Sequence, residues 1–73
     1  MAELDAIGLL CPLPVLKTRK RLQPLAVGDV LEVLADDPAA LVDIPHFCTE
    51  QGHEFLGQEA EGAAFRFRIR KGG

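Results

Sequence analysis

The hydrophobic pattern divides the chain into short segments with either a strand period or a helix period. Residues 65–70, FRFRIR, alternate strictly between apolar side chains and arginines, which is typical of a strand with one wet face. Residues 30–34, VLEVL, are almost continuously apolar and rich in β-formers, which predicts a central strand. Weaker patterns predict strands over 3–7 and 53–60, the second followed by a turn at Glu61-Gly62.

A helical period predicts a first helix from about Pro12 to Leu22. Its inward stripe is formed by Val15, Thr18 and Leu22, with Leu25 as a candidate extension. The outward face carries Leu13, Lys17, Lys20 and Arg21, at i, i+4, i+7 and i+8. An exposed leucine above a basic stripe predicts a docking surface.

A second helix is predicted after Asp37, a good N-cap, with Pro38 in the first helical position. Its core-facing stripe consists of Leu41, Ile44 and Cys48, with Phe47 beside it. Pro45 cannot donate to the carbonyl of Leu41, so we expect a kink or a break there. A break could use Asp43 to cap a second short segment, and Gly52 is the expected end.

The element order is therefore βαβαββ, and its fold class is α+β. We expect a two-layer α/β sandwich with two helices on one face of a four-stranded mixed sheet. With 73 residues, the chain is predicted to be one domain, 1–73. A domain of this size buries only about 60% of its unfolded surface. It has little room for a deep cavity, which favours a compact carrier or binding module.

The net charge of −3 conceals a segregation of charge along the chain. The basic residues fall into two groups, Lys17, Arg19, Lys20 and Arg21, and Arg66, Arg68, Arg70 and Lys71. No Lys or Arg occurs between Leu22 and Phe65, where nine of the 11 acidic residues lie. Such runs are usually solvated faces, but they also suit docking to an acidic protein or a nucleic-acid backbone.

The N-terminal residues lack the basic and apolar regions of a secretory signal, and no apolar run is long enough to span a membrane. These features predict a cytoplasmic protein with reduced thiols and no membrane partner.

The first helix opens with an unusual motif, Cys11-Pro12-Leu13-Pro14. Prolines at the first and third helical positions remove two N–H donors and stiffen the turn. With Cys11 as N-cap, its sulfur would face the Leu13 N–H and the positive end of the helix. That end favours an anion by about 0.3–1 kcal/mol, up to ~2, which would lower a thiol pKa of about 8.5 by around one unit. The motif thus predicts an accessible, activated thiol, against the alternative of a small buried hydrophobe.

The remaining candidates for chemistry have simpler interpretations. Cys48 lies on an apolar stripe and is expected to be a buried structural thiol. His46, Cys48 and His53 do not form a zinc-binding pattern, so no metal site is expected. We interpret Gly72-Gly73 as a frayed tail.

The segments LDAIGLLCPLPVLKTRK, ADDPAALVDIPHFCTEQGHEF and FRFRIRKGG resemble the TusA-like (SirA-like) sulfur carriers over nearly the whole chain. The resemblance implies that Cys11 accepts a persulfide from a cysteine desulfurase and hands it to a downstream acceptor. Family acceptors serve tRNA wobble-uridine thiolation, molybdenum cofactor assembly or sulfur oxidation. Pyridoxal phosphate would belong to the desulfurase, and the chain would need no cofactor of its own.

Carried over to this chain, the resemblance makes Pro12 and Pro14 the mount of the thiol. Asp36 and Asp37 match the acidic pair before the second helix and are candidate docking residues. A family member has Arg and Glu at the positions of Leu10 and Leu13, so the surroundings of the thiol are less polar here.

The rival hypothesis is a non-catalytic regulatory or RNA-binding module. It would use the basic faces Lys17/Lys20/Arg21 and Arg66/Arg68/Arg70. An acidic net charge and a shortage of exposed aromatic side chains oppose it. Direct binding of nucleic acid is therefore not expected. We expect the protein to be a monomer.

Overall fold

The structure, a computed structural model, describes residues 2–73, so Met1 of the predicted domain lies outside the described part. The element types and their order are those predicted, and only the ends differ. The strands are β1 (Ala2–Asp5), β2 (Val30–Ala35), β3 (Glu54–Glu61) and β4 (Ala64–Arg70). The helices are α1 (Leu13–Leu22) and α2 (Ala40–Gln51).

The four strands form one mixed sheet in the order β1-β2-β4-β3. Strand β1 runs parallel to β2, whereas β4 is antiparallel to both of its neighbours. Strand β2 is central, as its apolar sequence predicted. The predicted α+β sandwich, with two helices on a four-stranded mixed sheet, is confirmed.

The hydrophobic core lies between the sheet and the helices. Alternate residues of β2 and β4 face the helices, and Leu31, Val33, Phe67 and Ile69 are completely buried. Each such side chain contributes roughly 1.5–3 kcal/mol through its burial. Thr18 is the buried polar residue of α1, and its hydroxyl donates a 2.7 Å hydrogen bond to the carbonyl of Pro14. The inward stripe predicted for α1 is confirmed at Thr18 and Leu22.

The opposite face of the sheet carries the predicted arginines, but they are paired. Glu32 on β2 accepts hydrogen bonds from Arg66 at 3.0 Å and from Arg68 at 2.9 Å. The outer pairs are Arg66–Glu61, Arg68–Glu59 and Arg70–Glu54. The face is therefore a ladder of alternating charge, because acidic residues of β2 and β3 lie beside each arginine.

Helix α2 corrects two predictions. It begins at Ala40, because Asp37 caps the preceding turn instead, where Oδ1 accepts the Ala39 N–H at 3.1 Å. It also continues through Pro45, so of the predicted alternatives, a kink or a break, the break with its second short segment does not occur. Burial of Ile44 and Phe47 on either side of the proline holds the helix against the sheet and offsets the missing hydrogen bond.

The two ends beyond α2 and β4 meet each other. Gly52 ends α2 as predicted, in the left-handed conformation with φ of 76°. Gly72 packs beside it and donates its N–H to Nδ1 of His53 at 3.0 Å. The Lys71 ammonium donates to the carbonyl oxygens of Gln23 and Leu25. The prediction of a frayed tail is therefore wrong for Gly72, because these polar partners hold the chain as far as that residue.

Within residues 2–73, none of the helices has the length and apolar character required to cross a membrane.

Candidate functional site

Cys11 lies in the loop between β1 and α1, and two aspartates hold this loop in place. Asp36 accepts the N–H of Gly8 at 2.9 Å, and Asp37 Oδ2 accepts the N–H of Cys11 at 2.7 Å. Both aspartates directly follow β2. Because β1 and β2 are parallel neighbours, the loops after them start at the same edge of the sheet. The acidic pair therefore positions the backbone of the motif, while its predicted docking role stays a prediction.

The start of α1 differs by one residue from the prediction. Pro12 is the N-cap, the helix begins at Leu13, and Pro14 occupies the second helical position. The Leu13 N–H donates to the carbonyl of Leu10 at 2.8 Å, so it is not available to the cysteine sulfur. Cys11 thus precedes the cap, and the predicted contact between its sulfur and the helix N–H groups does not form.

The thiol of Cys11 is exposed, as predicted, but its electrostatic surroundings are the reverse of the prediction. Its Sγ donates a hydrogen bond of 3.0 Å to Oδ2 of Asp43 on α2. That hydrogen bond raises the pKa of the Cys11 thiol above its ordinary value, and partial desolvation and the negative charges of Asp43 and Asp37 act in the same direction. The predicted lowering of the pKa is therefore wrong, because two carboxylates stabilise the protonated form. At neutral pH Cys11 is mainly a thiol.

The thiol opens onto a shallow depression of about 300 Å³ between the two helices. Three polar residues of α2 line it at helical spacing, namely Asp43, His46 and Glu50. Its apolar lining comes from Pro12, Val15 and Phe47. Nε2 of His46 lies 3.0 Å from Oε1 of Glu50, and both side chains are exposed.

The sequence pattern did not predict a contact between Asp43 and the thiol. The i, i+3, i+7 spacing was the available signal, since it marks a polar stripe beside the core-facing stripe of α2. What that polar stripe faces depends on the packing of α2 beside α1, which the spacing does not specify.

The predicted docking residues are only partly brought together with the thiol. Leu10 and Leu13, which flank the Cys-Pro pair, are 69% and 42% exposed. Lys17, Lys20 and Arg21 instead line a separate shallow depression that they share with Leu4 and Pro24. In the described part of the chain, none of these three basic residues forms an ion pair. The basic stripe and the thiol are therefore two distinct surfaces.

The second cysteine has a different environment. Cys48 is 1% exposed in the core, and burial raises the pKa of its thiol to about 11. Both cysteines are free. Cys48 is thus the buried thiol predicted from its place on the apolar stripe, and it is inert at neutral pH. Between residues 2 and 73, no three or more His, Cys, Asp or Glu side chains form a group that could hold a metal ion.

Two comparisons show which known proteins this chain resembles. The family model for sulfurtransferase TusA matches residues 2–71. The crystal structure of a SirA-like protein from Desulfitobacterium hafniense is similar to this fold with a TM-score of 0.80, at 29% sequence identity, and the alignment covers 100% of both chains. Because the family model matches almost the entire length, the chain belongs to the TusA (SirA-like) family of sulfurtransferases and sulfur carriers.

Proposed function

We propose that this protein is a cytoplasmic sulfur carrier whose Cys11 receives sulfur from a cysteine desulfurase and relays it to an acceptor protein. The observation that carries the proposal is the exposed Cys11 thiol in its Cys-Pro-Leu-Pro loop. Family membership supports sulfur transfer in general. The acceptor would belong to tRNA thiolation, molybdenum cofactor assembly or sulfur oxidation.

The proposed loading step is an exchange of one sulfur atom. Cys11 Sγ attacks the outer sulfur of the donor persulfide, R–S–SH, and forms a new S–S bond. The donor S–S bond breaks, and the inner sulfur leaves as R–S⁻, which takes up the proton released by Cys11. The products are Cys11–S–SH and R–SH, with no net oxidation or reduction. Delivery repeats the exchange with an acceptor thiol.

The shape of the site supports transfer between proteins. The depression beside Cys11 is shallow and open, so the thiol meets its substrate on a partner's surface. The chain uses no cofactor in this scheme, and pyridoxal phosphate belongs to the donor enzyme. The partner supplies the chemistry that releases sulfur from free cysteine, while this protein supplies the exposed thiol.

The charge pattern of the sheet favours the carrier over an RNA-binding module. Arg66, Arg68 and Arg70 each pair with at least one glutamate, so their charges are compensated before any phosphate approaches. The basic stripe on α1 is a small surface beside an acidic net charge. We therefore assign Lys17, Lys20 and Arg21 to docking of an acidic protein surface.

Intact-protein mass spectrometry after incubation with a cysteine desulfurase and cysteine tests the proposal. We expect one or more added sulfur atoms on the wild type, removed by a reductant. Cys11→Ser should show none, while Cys48→Ala should load like the wild type. Absence of added sulfur on the wild type with several desulfurases, or loading that survives Cys11→Ser, would overturn the carrier assignment.

A further inference from the structure

We propose that Asp43 is the acid–base residue of the sulfur transfer: it accepts the Cys11 proton during loading and protonates the departing Cys11 thiolate during delivery. This inference rests on the proposed function. Its basis is the contact between Asp43 Oδ2 and Cys11 Sγ, at 3.0 Å, which lies within the reach required of a general base. The contact joins α2 to the loop before α1 across the open depression.

The other charged groups around the thiol already have different partners. Asp37 binds the backbone N–H groups of Cys11 and Ala39. His46 and Glu50, on the rim of the depression, bind each other. Within residues 2–73, Asp43 is the one carboxylate hydrogen-bonded to the reacting sulfur.

The protonation state of Cys11 makes such a residue necessary. Because Asp43 and Asp37 favour the thiol over the thiolate, little nucleophile is present at neutral pH before the reaction begins. A carboxylate already bonded to the S–H can take the proton as the sulfur attacks. Positioned general bases accelerate reactions by about 10²–10⁴-fold.

The proton balance of loading is then complete within the pair. The S–H bond of Cys11 breaks as Sγ bonds to the donor's outer sulfur, and the proton moves to Asp43 Oδ2. The donor S–S bond breaks, and the leaving R–S⁻ takes the proton from the carboxyl group. In delivery, the acceptor's thiol proton passes to Asp43 and then to the departing Cys11 thiolate.

A small persulfide donor tests this role without a docking partner. We would load wild type, Asp43→Asn and the matched control Glu50→Gln with glutathione persulfide, and follow Cys11–S–SH by mass spectrometry. Glu50→Gln removes one negative charge from the same depression and the same helix without touching Sγ. Thermal melts check that each variant is folded. The pH dependence of the donor cancels in the ratio of wild-type to variant rates.

We expect Asp43→Asn to load at least about tenfold more slowly than wild type near pH 6, with the difference narrowing as Cys11 ionises at higher pH. Glu50→Gln should remain within about twofold of wild type. Iodoacetamide, a second readout, should alkylate Cys11 of Asp43→Asn faster at neutral pH, because the thiolate is no longer repelled. A change in thiolate content alone would move both rates in the same direction. Slower sulfur loading together with faster alkylation in Asp43→Asn therefore indicates an acid–base role.

An Asp43→Asn rate equal to or above wild type at every pH would overturn the inference, because thiolate content alone would then control transfer. The inference would also be overturned if Glu50→Gln slowed sulfur loading as much as Asp43→Asn. Should Asp43→Asn not fold, the wild type alone decides: loading must be slower in deuterium oxide, and an equal or faster rate would contradict proton transfer during attack. A wild type that accepts no sulfur from the persulfide or from any desulfurase would instead overturn the proposed function.

Discussion

Asp37 accepts the backbone N–H of Cys11 at 2.7 Å, a contact between residues 26 positions apart in sequence. It joins the loop after β2 to the loop after β1, and a second hydrogen bond from Ala39 fixes the same carboxylate at the start of α2. The acidic residue therefore holds the thiol-bearing loop to the rest of the fold.

Removing this carboxylate should loosen the loop and lower stability. We expect Asp37→Ala to reduce the free energy of unfolding by about 1–3 kcal/mol, as for loss of hydrogen bonds to a charged group, and to slow sulfur loading. Urea denaturation measures the first effect. Asp29→Ala is the matched control, since the Asp29 carboxylate accepts a local N–H, from Ala26 at 3.0 Å. If the two variants lost the same free energy of unfolding, a special role for the contact between Asp37 and Cys11 would be contradicted.

The raised pKa of Cys11 should appear in its alkylation kinetics. The thiolate is the reactive form, so alkylation by iodoacetamide should rise about tenfold per pH unit through neutrality. At neutral pH the folded protein should react at Cys11 more slowly than the chain unfolded in urea, although the thiol is exposed. Peptide mapping separates Cys11 from Cys48. If the alkylation rate of Cys11 reached half its maximum at a lower pH in the folded protein than in the unfolded chain, a helix-activated thiolate would be supported instead.

Charge reversal on the basic stripe should weaken donor docking without affecting the thiol. We expect Lys17→Glu/Lys20→Glu to slow sulfur transfer from the desulfurase several-fold, most strongly at low salt, because exposed charges at an interface act mainly on association. Loading by glutathione persulfide should not change. Arg19→Glu is the control, as Arg19 is exposed on the same helix but lines a different depression. Desulfurase transfer at the wild-type rate and salt dependence would exclude the stripe from docking.

Glu32 should be a pH-dependent contributor to stability. Its hydrogen bond from Arg68, with that from Arg66, lowers the pKa of the Glu32 carboxyl despite partial desolvation. A lowered pKa adds stability above the unfolded value of about 4.3, and this is lost as pH falls through the folded value. We expect Glu32→Gln to lower the urea midpoint at neutral pH, with the difference from wild type vanishing in acid.

The exposed pair between Arg70 and Glu54 provides the comparison for Glu32. Glu54→Gln removes a carboxylate that is 59% exposed and should cost only about 0–1 kcal/mol. The prediction for Glu32 would be contradicted if Glu32→Gln and Glu54→Gln had the same urea midpoint at neutral pH. It would also be contradicted if the difference between Glu32→Gln and wild type persisted in acid.

His53 should make the protein less stable in mild acid. Burial, with the nearby charge of Lys71, lowers the pKa of His53, and its Nδ1 accepts the Gly72 N–H. Below the unfolded value of about 6.5 the unfolded chain binds a proton that the folded protein resists, so stability falls as pH decreases toward the folded pKa. His53→Asn should flatten this dependence in denaturation at several pH values, whereas His46→Gln, at a side chain 70% exposed, should preserve it. If stability still falls with decreasing pH in His53→Asn, a group other than His53 causes the dependence.

The local pattern of the chain was sufficient for its elements and their order. The strict alternation of residues 65–70 and the apolar run of 30–34 identified two of the strands, and Gly52 marked the end of α2, because each depends on a short-range period or on one residue's backbone preference. The Cys-Pro-Leu-Pro motif also located an exposed cysteine. These features belong to segments of a few residues, and the sequence contains them entirely.

Only the tertiary structure decided the electrostatics of that cysteine. Whether Cys11 faces helix N–H groups or carboxylates depends on where α2 and the loop after β2 pack, and both aspartates that act on it are more than 25 positions away. The same holds for Arg66 and Arg68 of β4, because their pairing with Glu32 depends on the register between β4 and β2. Periodicity determines which side of an element is polar, whereas packing determines which charge that side meets.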